Sequence, residues 1–182
     1  TRINALDEIL NRSTTQRIAF TSTKDVEFPP KENTSSSLDI KAPLNISYQG
    51  NLPIRNEEWN LPDNLQIQDA VIYVLPLPLR AVDLLWLKTF PKDQPSWILV
   101  SWKENSSWSE QFQDLKAQLP ERWSSRVLRW TGSSDDFKSV LNPVRRLLEQ
   151  PKSNIEVTKQ RLLSRLHSDL QFDLEELRRE KF

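Results

Sequence analysis

The chain has no cysteine and no methionine, one histidine, two glycines in 182 residues, and no net charge. Without cysteine it can form no disulfide, thiolate nucleophile or thiolate metal site, which fits a reducing compartment such as the cytoplasm. The lone His167 lies in a charged helical pattern, so it reads as a helix-surface residue rather than the centre of a zinc site or a Ser-His-Asp triad. Methionine is missing even from position 1, so the chain is expected to be processed or to be a piece of something longer. Lys+Arg and Asp+Glu both number 25, which argues against a whole-surface grip on nucleic acid or anionic membrane. No run approaches the roughly 18 apolar residues of a membrane span. Asp7, Glu8 and Arg12 interrupt any signal-peptide pattern.

The scarcity of glycine excludes a standard phosphate-binding loop. A phosphate cradle needs glycines so that backbone N–H groups can approach the oxygens, then a Lys, then a Ser or Thr for magnesium. Gly50 and Gly132 stand alone, and neither lies in GxxxxGK[ST] or GxGxxG. No standard phosphate or dinucleotide loop exists in this sequence.

What is present is an alternation of apolar runs and amphipathic stretches. Ile3, Leu6, Ile9 and Leu10 predict a helix over 2–12. RIAFTST at 17–23 reads as a strand, and Leu38 to Tyr48 as a second one weakened by Pro43. The stretches 24–37 and 50–64 carry the Pro, Gly and Ser of loops. The continuous apolar run 70–75 predicts a central strand buried on both faces. A helix over 79–90, a strand over 97–102, a helix over 106–119, a short strand over 126–130 and a helix over 135–150 follow, with a kink or restart at Pro143. Repeated strand-helix alternation with short joints predicts a doubly wound, mostly parallel α/β sheet. Residues 1–150 would form this domain and 151–182 a helical arm. Along the arm Leu163, Leu166, Leu170, Leu174 and Leu177 make one narrow apolar stripe among charges. That stripe either packs on the body or serves as a contact arm.

The run Gln68-Asp69-Ala70-Val71-Ile72-Tyr73-Val74-Leu75 resembles the strand that follows the magnesium-linked DxxG segment of Era-like and Ras-like GTPases. In that alignment Asn60-Leu61-Pro62-Asp63 stands where the family has Asp-Thr-Pro-Gly. Ser101-Trp102-Lys103-Glu104 stands where the family reads guanine with Asn-Lys-x-Asp, and Thr131-Gly132-Ser133 is similar to the loop before the last helix. The C-terminal helix is similar to the arginine-rich helix of certain cyanobacterial GTPase-like proteins. The resemblance implies a GTPase-like domain whose nucleotide positions Asn60, Asp63, Ser101, Lys103, Glu104 and Ser133 are degenerate. GTP and magnesium would enter only if the phosphate loop lies outside this piece. Otherwise no cofactor is expected, and the reading is a non-catalytic interaction or regulatory domain.

A second class is a metal-dependent nuclease. Asp25, Glu27 and Asp39-Ile40-Lys41 resemble the acid cluster and (D/E)-x-K of PD-(D/E)XK enzymes, where carboxylates hold magnesium and Lys stabilises charge on phosphate. The same residues also suit an ordinary exposed edge strand. The seven tryptophans divide between apolar patterns (Trp86, Trp97, Trp108) and element ends (Trp59, Trp102, Trp123, Trp130). The second set, with the leucine stripe of the arm, is expected to contact a protein partner.

Overall fold

The run Ala70–Leu75 is buried at every position, and this strand (β3) organises the molecule. In the computed structural model, which describes residues 6–7, 9, 15–29, 44–55, 57–102 and 108–180, β3 pairs in parallel with Gln16–Thr21 (β1) and with Ser96–Ser101 (β4). Leu44–Tyr48 (β2) adds in parallel outside β1, and Val127–Trp130 (β5) outside β4. The sheet order is β2-β1-β3-β4-β5. Parallel neighbours need crossover connections, and helices supply those that link β3, β4 and β5. The short Asp63–Gln66 (α1) leads into β3, and Ala81–Thr89 (α2) joins β3 to β4. Trp108–Gln118 (α3) and Glu121–Ser124 (α4) join β4 to β5. Ser134–Val140 (α5), Asn142–Leu148 (α6) and the 30-residue Pro151–Glu180 (α7) complete the chain.

Strand geometry sends alternate side chains to opposite faces. Val71, Tyr73 and Leu75 face one layer with Trp86 and Leu87 of α2, Phe90 just past its end, Leu115 of α3 and Trp123 of α4. Ala70, Ile72 and Val74 face the other with Phe137 of α5 and Val144 and Leu148 of α6. Both faces are therefore covered, as an all-apolar parallel strand requires. The expected doubly wound α/β architecture is the observed one.

Differences from the sequence reading have local causes. The first strand stops at Thr21 because the next two hydroxyls turn inward: Ser22 donates to the Val74 carbonyl at 2.8 Å and Thr23 to Asp83 at 2.6 Å. The strand expected over 38–48 is seen from Leu44, past Pro43, and its earlier residues lie outside the described ones. Of the helix expected over 2–12, residues 6, 7 and 9 are described and are helical. Pro143 marks a restart rather than a kink, since it sits in the first turn of α6, where its missing N–H costs no hydrogen bond.

The first third of α7 is welded to the amino ends of β1 and β3. Thr158 donates to Asp69 at 2.7 Å, and the other Asp69 oxygen accepts the Arg17 N–H at 2.8 Å. Arg161 donates to the Gln66 and Gln68 carbonyls, both at 2.9 Å. Asn154 donates to Gln16 at 3.0 Å, while Gln16 donates to the Leu148 carbonyl at 2.6 Å. Among the described residues none beyond Leu162 in this helix is buried.

Candidate functional site

In open parallel sheets, ligands bind outside the carboxyl ends of the strands, at the point where successive connections leave in opposite directions. Here the chain goes from β1 outward to β2, then returns to β3 on the other side, so that point lies between β1 and β3. The residues that meet there come from the loop after β1, the middle of β3 and the start of α2.

Asp83, in the first turn of α2, is fully buried and is the hub. Its Oδ1 accepts from Thr23 at 2.6 Å, from Tyr73 at 2.6 Å and from Arg80 at 3.0 Å. Its Oδ2 accepts from the Arg80 side chain at 3.0 Å and from the Arg80 backbone N–H at 3.1 Å. Arg80 also donates to Thr23, and the Tyr73 and Thr23 hydroxyls stand 3.2 Å apart. The helix start favours a carboxylate, because the free N–H groups of the first turn carry partial positive charge.

The charge state follows from these contacts. Burial pushes the Asp83 carboxyl up, but hydrogen bonds from Arg80, Thr23 and Tyr73 outweigh it and hold the carboxyl below its ordinary range. Burial, and then the hydrogen bond to Asp83, drive the Tyr73 hydroxyl well above the ordinary phenol range. The hydrogen bond to Asp83 also raises Arg80. Tyr73 is thus a fixed neutral donor, Asp83 a fixed anion, and Arg80 its counter-ion. No proton in this group is poised to move near neutral pH.

The sequence-predicted positions fall on several elements. Ser101 closes β4, and Ser133 follows β5 beside Gly132, whose φ of 93° puts it in the left-handed region. Both are exposed at the carboxyl edge. Asp63 opens α1, ahead of β3, where it pairs with Arg165 of α7 at 3.9 Å. Asn60 is exposed just before it and donates to Glu58 at 3.3 Å. Asn64, next to Asp63, donates to Gln49 just past β2 at 2.5 Å. Lys103 and Glu104 lie outside the described residues. So do Asp39 and Lys41, while Asp25 and Glu27 are exposed on the loop after β1. Among the described residues no three His, Asp or Glu side chains cluster as a metal site.

Among the tryptophans expected at a surface, Trp123 and Trp130 are enclosed in the two cores, the Trp130 indole donating to the Ser133 carbonyl at 3.0 Å. Their places at element ends are interior because α4 and β5 end against the core. Trp59 and Trp102 are half-buried; Trp59 packs edge-on against Trp86 at 5.1 Å and Trp102 against Trp108 at 4.9 Å. In the arm, Leu163, Leu170, Leu174 and Leu177 are exposed and Leu166 is half-buried.

Sequence reasoning passed over Thr23, Tyr73, Arg80 and Asp83. The available signal was Asp83 itself, a lone acid in the apolar stretch LRAVDLLWL, three residues after an arginine. No family model, curated protein or solved structure matches the chain. No helix among the described residues is long and apolar enough to cross a membrane.

Proposed function

We propose that this chain is a non-catalytic, GTPase-like interaction domain whose ligand crevice is sealed by its own side chains. The observation that carries the reading is Asp83: a buried anion, with every oxygen satisfied, occupies the crevice between β1 and β3. A triphosphate brought there would find Arg80, Thr23 and Tyr73 already engaged by Asp83, so to gain a donor it would have to break that buried network. The loop after β1 reads Ser22-Thr23-Lys24-Asp25, with no glycine to open a backbone nest. What remains for function is surface: the half-buried Trp59 and Trp102 and the exposed leucines of α7 fit contact with a protein.

Titration calorimetry with GTP and magnesium tests the sealed crevice. The expected result is no heat of binding at about 100 μM protein, a level at which any dissociation constant in the micromolar range is visible. Micromolar binding would sink the proposal. Magnesium-dependent cleavage of plasmid DNA, lost in Asp39→Ala and Lys41→Ala, would replace it with the nuclease reading.

A further inference from the structure

We draw no further inference here: the strongest candidate, the half-buried aromatic stack of Trp102, Trp108 and Phe112 beside Arg129 at the carboxyl end of β4, is a surface patch, and nothing in the structure shows what covers it.

Discussion

Asp83 shows how a buried charge becomes a structural keystone. It lies wholly inside, yet every lone pair faces a donor, so the usual cost of burying a carboxylate is offset by charge-assisted hydrogen bonds. Removing it leaves two interior hydroxyls and a guanidinium without their acceptor. Asp83→Ala is therefore expected to cost roughly 3 kcal/mol, read from the denaturant midpoint. Its carboxyl sits below the ordinary range when folded, so the stability it supplies is present above its unfolded pKa of about 4 and is lost as pH falls through the folded value. The wild-type protein should lose stability below about pH 4 more steeply than Asp83→Ala does. Tyr73 gives the opposite limb. Its folded pKa is raised, so its contribution is complete below the unfolded value of about 10 and is lost as pH rises beyond it. Tyr73→Phe should be less stable at neutral pH and should flatten the alkaline slope. A variant with an unchanged slope between about pH 9 and 11 would contradict this account of the hydroxyl.

Among the elements, α7 joins two regimes in one continuous helix. Its first third is held by Asn154, Thr158 and Arg161 to side chains and carbonyls at the amino ends of β1 and β3. Its remainder is a mostly charged rod with one apolar stripe. Thr158→Val keeps the shape of the side chain but removes the hydroxyl that donates to Asp69. A loss of about 1–2 kcal/mol is expected, with faster amide exchange in the first turns of the helix than in β3. Unchanged exchange there would show that packing of Ile155 and Leu162 alone holds the helix. The same element logic explains the tryptophans. Trp123 reaches the core because α4 is a single turn laid between α3 and β5, and its ring packs edge-on against Phe90 at 5.6 Å. Element ends are surface positions only when nothing is packed beyond them.

For the molecule as a whole, the boundary between body and arm falls inside α7 in energetic terms. Shortening the chain after Leu162 removes no buried side chain among the described residues, and stability is expected to stay within about 1 kcal/mol. Shortening it after Gln150 also removes Ile155, Thr158, Arg161 and Leu162 and takes from Gln16 and Asp69 their hydrogen bonds to Asn154 and Thr158, which is expected to cost several times more. Equal stability of the two truncations would show that the helix is an appendage throughout. The layered sheet was legible in the sequence because periodicity and apolar runs are local. Runs 70–75 and 97–102 can be buried only as central strands, and Pro91, Pro95 and Pro120 punctuate the crossovers. The stripe of α7 was legible for the same reason. The crevice was not, because Thr23, Tyr73, Arg80 and Asp83 are spread over three elements and only the strand order brings them together. The amino acids themselves determined that no glycine cradle exists, that the strands are interior and that the arm has one apolar face. Tertiary structure alone decided that Thr23, Tyr73, Arg80 and Asp83 meet in one buried network and that two tryptophans are interior. Such contacts depend on register and chain crossing over long separations, which no local pattern encodes.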